Sequence, residues 1–426
     1  MKNKEKKILR RFLKYARIDS RSDVKLGEKL GKGQGPSTPG QTEIIKAILS
    51  EISPYVVQGR LFISLLGDGS LLLYFPGRRL GYTVCLASHV DTYYGFEGGA
   101  KPILNFYGGG DIKLPKNSKV IPAEDLAGKE GKIIITADGS TTLGADDKAG
   151  VAVLVQIALD ILWGEITDYG PLYLWFCTDE EIGKLDTEVV PPEIVKSWDI
   201  LITVDGGNPK DIVTECFSMT DINVEFFGRD AHAGDNGNKI RPANYAICQL
   251  VTDIMYKHKT PWGSKDREGF IYASQFGVMT PEYAEVYFCP RSFDLVELNA
   301  FYDSIVKTIK KVVAYYGVTY KISENKLTCV NTKNAIDKKM NLLEPIIKAL
   351  AKAGCDDPRF CAGRYGTDGA MINLNIPDLP APDIGTGGYN VHGPLEYLVV
   401  EEMYTMYKAI RALLPLYAYS SYYGVK

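Results

Sequence analysis

Short apolar runs that alternate with helical stretches constrain this chain more than any other feature. Residues 83–87 (Thr-Val-Cys-Leu-Ala), 132–136 (Lys-Ile-Ile-Ile-Thr), 172–177 (Leu-Tyr-Leu-Trp-Phe-Cys) and 200–204 (Ile-Leu-Ile-Thr-Val) are apolar, short and rich in Val, Ile and Leu. Such runs suit strands covered on both faces. Between the second and third, residues 148–163 are strongly helical. Strands alternating with helices predict an α/β fold with a mixed, mostly parallel sheet flanked by helices. Two more helices are expected before this sheet. One is the basic, amphipathic amino end, where Leu9, Phe12, Leu13 and Ala16 recur at helical spacing. The other spans 41–52, after a Gly-, Ser- and Pro-rich loop.

Near Val213 the texture changes. Residues 221–226 alternate polar and apolar, 285–288 read as a strand, and 244–258 and 298–316 read as helices. The α/β texture returns near Lys326, with helices over 340–353 and 395–414. We read 1–212 and 327–426 as one domain, and 213–326 as an α+β domain inserted into it. A chain of 426 residues accommodates this, since domains usually hold ~100–200 residues.

The formal net charge of −3 argues against a nucleic-acid partner, which needs a basic face. The amino end lacks the apolar core and cleavage site of a signal peptide. No stretch reaches the ~18 apolar residues that a membrane span needs. The eight cysteines form no C-x-x-C pair, and several lie within the apolar runs. Buried thiols in a reducing compartment explain them better than disulfides. A soluble, cytoplasmic protein with no membrane partner is expected.

Acidic and imidazole groups follow these strands or open these helices. His89 and Asp91 come directly after the first strand, Asp146 and Asp147 open the helix, and Glu180 and Glu181 follow the 172–177 run. Asp205 ends the 200–204 run, and His392 lies in a late Gly-rich turn. Strand carboxyl ends are where an open α/β sheet binds its ligands. Carboxylates gathered there repel one another unless cations neutralise them. Their nitrogen and oxygen donors suit zinc, and manganese or cobalt less specifically. Charge counting favours two divalent ions. Asp146, Glu181, Asp205 and one bridging hydroxide balance them, and Glu180 is left over as a proton shuttle. Taken singly, each motif has a plainer reading: a surface His–Asp pair, a helix start, a turn or a cap. The combination points to a metal centre.

At this point the chain resembles a known family. Ser88-His-Val-Asp-Thr92, Leu143-Gly-Ala-Asp-Asp-Lys-Ala-Gly150, Thr178-Asp-Glu-Glu-Ile-Gly-Lys184, Thr203-Val-Asp-Gly-Gly207 and Thr386-Gly-Gly-Tyr-Asn-Val-His-Gly393 are similar to the peptidase T family. These are tripeptide aminopeptidases among the dinuclear zinc exopeptidases, related to carboxypeptidase G2 and dipeptidase V. Arg11-Phe-Leu-Lys-Tyr15, Pro36-Ser-Thr-Pro-Gly-Gln41, Gly109-Gly-Asp-Ile112 and Gly366-Thr-Asp-Gly-Ala370 extend the likeness over nearly the whole chain.

The resemblance implies a zinc-exopeptidase fold and a role for each matching residue. His89 and Asp205 would bind one metal, Glu181 and His392 the other, and Asp146 would bridge them. Asp91 would orient His89, and Glu180 would act as general base and then acid. The inserted domain would be a lid and dimerisation domain, making a homodimer. His232, in Asp230-Ala-His-Ala-Gly234, would donate to the oxyanion, often across the dimer. Arg291 and Arg364 would hold the substrate carboxylate, and Asn390 would contact substrate near the metals. The chain departs from the family pattern at Ala233 and Tyr365, where Pro and Gly are usual. His258 reads as structural.

The expected reaction is removal of the N-terminal residue from short peptides, tripeptides above all, by a metal-bridged hydroxide. A related dinuclear amidohydrolase acting on dipeptides or on N-acyl or γ-glutamyl amino acids is the alternative, because the fold serves all of these. A non-catalytic binding protein should have lost a ligand or Glu180, and neither is lost.

Overall fold

A helix without a polar stripe has to be buried all round. Ala145–Leu162 is such a helix, and every residue from Asp147 to Ile161 is buried. This is a computed structural model, which describes residues 3–31, 33–184 and 189–419. The few polar groups inside the helix are satisfied by one another and by neighbours. Gln156 Nε2 donates to Asp160 Oδ1 at 2.8 Å, and Arg11 Nη1 donates to Gln156 Oε1 at 3.2 Å. Arg11 belongs to the amino-terminal helix Asn3–Ala16, whose Ile8, Leu9, Phe12, Tyr15 and Ala16 are buried. Leu13, expected on that face, is only partly buried.

The chain divides into two compact units. One comprises Met1–Thr214, Thr332–Cys361 and Asn375–Lys426, and the other Glu215–Asn331 and Ala362–Leu374. The first unit is built on eight strands, numbered here β1 (Phe62–Leu65), β2 (Leu71–Phe75), β3 (Val84–His89), β4 (Leu172–Cys177), β5 (Ile200–Val204), β6 (Asp211–Glu215), β7 (Arg359–Ala362) and β8 (Asp383–Ile384). Their spatial order is β1-β2-β4-β3-β5-β8-β6-β7. The pairs β4–β3, β3–β5 and β5–β8 are parallel, whereas β1–β2, β2–β4 and β8–β6 are antiparallel. Every residue of β3, β4 and β5 is buried. Helical cover on both faces explains why these runs show no alternation in sequence.

Two sequence expectations change here. Residues 132–136 were expected in the parallel sheet. Ile133–Thr136 instead pairs antiparallel with Ile103–Phe106 and Tyr397–Val399 in a separate four-stranded sheet. A short apolar run specifies burial but not the direction of its partners, so sequence could not separate these cases. The helix expected over 395–414 begins instead at Val400, because Tyr397–Val399 is used as the strand beside Ile133–Thr136.

The second unit has an antiparallel sheet in the order Ala273–Met279, Tyr283–Phe288, Ile222–Phe227, Thr319–Ile322. Ile222–Phe227 and Tyr283–Phe288 alternate buried and half-buried residues. Their Val224, Phe226, Val286 and Phe288 share a core with Ile247 and Leu250 of helix Ala243–Lys257 and Ile305 and Ile309 of helix Leu295–Tyr316. The 362–374 segment is tied into this unit by backbone bonds from Phe217 N–H to Tyr365 O at 3.2 Å and from Val330 N–H to Ala370 O at 3.2 Å.

Candidate metal centre

Three neighbouring strands of the first unit deliver acidic or imidazole groups at their carboxyl ends. β3 ends on His89, β4 leads into the turn that holds Glu180 and Glu181, and β5 is followed by Asp205. Asp146 comes from the opening turn of the buried helix, and His392 from the loop between strands Gly388–Tyr389 and Tyr397–Val399.

These groups converge. His89 Nε2 lies 2.8 Å from Asp146 Oδ1 and 3.7 Å from Asp205 Oδ2. His392 Nε2 lies 2.9 Å from Glu181 Oε2 and 3.4 Å from Asp146 Oδ2. The donors therefore form two trios, His89–Asp146–Asp205 and Asp146–Glu181–His392, which share Asp146 through its two different oxygens. Glu180 stands outside both, with Oε2 3.9 Å from His89 Nε2.

His89 and Asp91 are fully buried, unlike a surface pair. Asp91 Oδ1 lies 3.4 Å from His89 Nδ1, so the ring turns Nε2 toward the other donors. The same carboxylate accepts the N–H of Glu180 at 3.2 Å, the N–H of Glu181 at 3.0 Å and the hydroxyl of Ser22. One residue thus fixes a histidine and the turn of the Glu–Glu pair together.

The electrostatics of the cluster are those of charges gathered out of water. Burial, with the nearby Asp146 charge, pushes Glu181 up to about 8 and raises Asp205. Burial lowers the imidazoles, but Asp146 and Glu181 outweigh it and lift His392 to about 11. Asp146, Asp205 and Asp91 likewise lift His89 well above its ordinary value. Burial also raises Asp146, yet the two imidazoles hold its carboxyl far below the usual range. These opposed shifts mark negative charge gathered out of water, which bound cations would offset. Glu181 Oε1 and Asp205 Oδ1 are buried with no hydrogen-bond partner among the described residues. A buried carboxylate oxygen left bare is costly, and a cation removes that cost. The donor set, two imidazoles and three carboxylates, fits two divalent ions of the zinc, manganese or cobalt type.

Several supporting residues were not singled out from sequence. Asp179, at φ 57°, accepts Ser37 N–H at 2.8 Å and Gln41 Nε2 at 2.6 Å, and its own N–H donates to Gln41 Oε1 at 3.0 Å. The Pro36-Ser-Thr-Pro-Gly-Gln41 segment therefore pins the Glu180–Glu181 turn. Tyr93 stacks on the His392 ring with centroids 4.4 Å apart. Glu396, 2% exposed, accepts three backbone N–H groups of the loop that presents Asp146. The available signal was a lone acid beside a strongly apolar stretch.

Asn390, at φ 51°, stands two residues before His392 and donates to Asp125 Oδ2 at 2.7 Å. His232, Arg291 and Arg364 belong to the second unit. His232 is well exposed, and its Nδ1 accepts Asp235 N–H at 3.1 Å. Arg291 has no carboxylate partner among the described residues; its Nη2 lies 3.8 Å from Cys289 Sγ. Asp294, three residues on, caps helix Leu295–Tyr316. Arg364 donates to Asp266 O at 2.7 Å, Glu268 O at 3.0 Å and Ser264 Oγ at 2.6 Å, between the rings of Phe217 and Phe270. His258 bonds Ser304 Oγ at 2.7 Å and meets Phe301 edge-on.

No family model matches the chain. Peptidase T of Salmonella schwarzengrund is 30% identical over 424 residues, spanning 93% of this chain and 95% of its own. A tripeptidase from Staphylococcus aureus has a similar structure, with a TM-score of 0.71 and 18% identity over 97% of this chain and 98% of its own. A dinuclear metal-binding peptidase of the M20 family from Bacillus subtilis gives a TM-score of 0.62 and 13% identity, covering 99% of this chain and 100% of its own. The two structures share the fold of this chain.

Proposed function

The chain belongs to the peptidase T family, and on that premise we propose that it is a metallo-aminopeptidase that removes the N-terminal residue of short peptides, tripeptides above all. The observation behind this reading is the pair of donor trios that share Asp146, with bare carboxylate oxygens on Glu181 and Asp205. In the proposed assignment, His89 and Asp205 hold one cation, Glu181 and His392 the other, and Asp146 both. We favour zinc, with manganese or cobalt as substitutes that the same donors accept. When bound, two such ions supply an activated water and polarise the scissile carbonyl.

The remaining steps fall to the chain's own groups. Glu180 sits beside the donors without joining either trio, within reach of the cluster, and its carboxylate would take a proton from the attacking water and return it to the leaving amine. Asp91 keeps His89 and the Glu180 turn in register. His232 accepts at Nδ1, so in the neutral ring the proton is on Nε2, the form that donates to a developing oxyanion. Arg291, with no carboxylate partner among the described residues, is the stronger candidate for the peptide carboxylate, with Arg364 holding the 264–268 loop beside it and Asn390 contacting substrate near the metals.

We also propose a cytoplasmic homodimer. All eight cysteines are free, which suits a reducing compartment. No described helix is long and apolar enough to cross a membrane. Ala273–Met279 lies at a sheet edge with Phe276 and Val278 exposed, and such an edge invites pairing.

The test is hydrolysis by metal-replete protein of one tripeptide with its amine free, the same tripeptide N-acetylated, and an N-acyl amino acid. Rapid release of the first residue from the free-amine tripeptide alone is expected. Preference for the acylated substrates would assign the site to the related amidohydrolases.

A further inference from the structure

We propose that Glu396 is a positioning residue that fixes Asp146 against His392, acting as a clamp between two loops distant in sequence. The inference rests on the two-cation reading above. The entry to helix Ala145–Leu162 is irregular: Gly144 stands at φ 76°, Asp146 and Asp147 have non-helical backbone angles, and Asp147 Oδ1 accepts the N–H of Gly150 at 3.1 Å. The buried N–H groups of this irregular stretch have no helical partner and need one from elsewhere. Glu396 Oε2 accepts the N–H of Leu143 at 2.7 Å and of Gly144 at 2.8 Å, and Oε1 accepts the N–H of Asp146 at 3.0 Å. A buried carboxylate thus satisfies the donors of this irregular entry and holds the backbone N–H of the shared aspartate itself.

The other end of the clamp is equally fixed. Glu396 N–H donates to Gly393 O at 3.2 Å, closing the turn that begins directly after His392. Tyr397, the next residue, pairs with Thr136 in the antiparallel sheet. Glu396 therefore projects from a rigid strand entrance, while His392 rides on the turn just before it. His392 Nε2 and Asp146 Oδ2 end 3.4 Å apart. His89 and Asp205 depend on β3 and β5 instead, so loss of Glu396 weakens the Asp146–Glu181–His392 site more than the other.

Two variants separate positioning from simple packing. Glu396→Gln keeps the volume but turns one acceptor oxygen into an N–H₂ group facing backbone N–H groups. Glu396→Ala removes all three contacts. Cobalt(II) is titrated into metal-free wild type and variants, with bound ion counted by equilibrium dialysis and coordination followed by visible absorbance. Thermal midpoints of the metal-free proteins are measured alongside. We expect wild type to take two ions per chain. The weaker site should lose affinity by about 10–100-fold, less in the Gln variant than in the Ala variant, with an altered cobalt spectrum. Wild-type affinities and spectra in both variants would overturn the inference, including the case where only the metal-free midpoint falls. If wild type itself takes fewer than two ions, the two-cation reading fails and this inference falls with it.

Discussion

Glu180 and Asp91 are neighbours with separable duties. Glu180→Ala is expected to lower tripeptide turnover by about 10²–10⁴-fold, the usual worth of a positioned acid–base group, while both cations still bind. Turnover near the wild-type rate would remove Glu180 from the chemistry. Asp91→Asn replaces one oxygen of a carboxylate that receives the N–H groups of both Glu180 and Glu181 and faces His89 Nδ1. It should weaken cation binding by about 10–100-fold, as read by competition with a chelator. Unchanged affinity would reduce Asp91 to a folding role. At this scale, sequence revealed the groups whose chemistry admits few substitutes: histidine and carboxylate donors at strand ends. It did not reveal Ser22, Gln41, Asp179 or Glu396. These polar residues act through contacts that only the folded chain brings together, with Ser22 donating to the Asp91 carboxylate and Glu396 reaching Asp146 across 250 positions.

Between elements, the clearest test is the tie between the amino-terminal helix and helix Pro39–Ile52. Glu51 accepts Arg11 Nε at 2.7 Å, Lys14 Nζ at 3.3 Å and Tyr15 OH at 3.0 Å. Burial raises the Glu51 carboxyl, but Arg11 and Lys14 outweigh it and leave it below its ordinary value. A depressed carboxylate stabilises the fold above its unfolded value and loses that contribution as pH falls through the folded one. Glu51→Gln should therefore cost about 1–3 kcal/mol at neutral pH and much less near pH 3, measured by urea unfolding of metal-free protein. An equal cost at both pH values would contradict the ion-pair account. Most helices and the buried strands β3, β4 and β5 were legible, because a full turn or a continuous apolar run marks them locally. The pairing of Ile133–Thr136 was not, since its partners lie at Ile103–Phe106 and Tyr397–Val399. The strand Tyr397–Val399 was hidden for a related reason: its apolar residues run directly into a helix.

In the whole molecule, a change of texture near Val213 is visible in sequence because a half-exposed antiparallel sheet alternates where a covered parallel sheet does not. The 362–374 segment is joined to the second unit by tertiary backbone bonds, which leave no local pattern. Within the first unit, residues from three sheet strands, a helix start and a late loop meet at one cluster of donors. That convergence makes the chain an enzyme of the peptidase T family rather than only a fold of that shape. Anomalous diffraction from crystals of zinc-loaded protein tests it most directly. Two peaks are expected, one among His89, Asp146 and Asp205 and one among Asp146, Glu181 and His392. A single peak, or peaks away from Asp146, would contradict it.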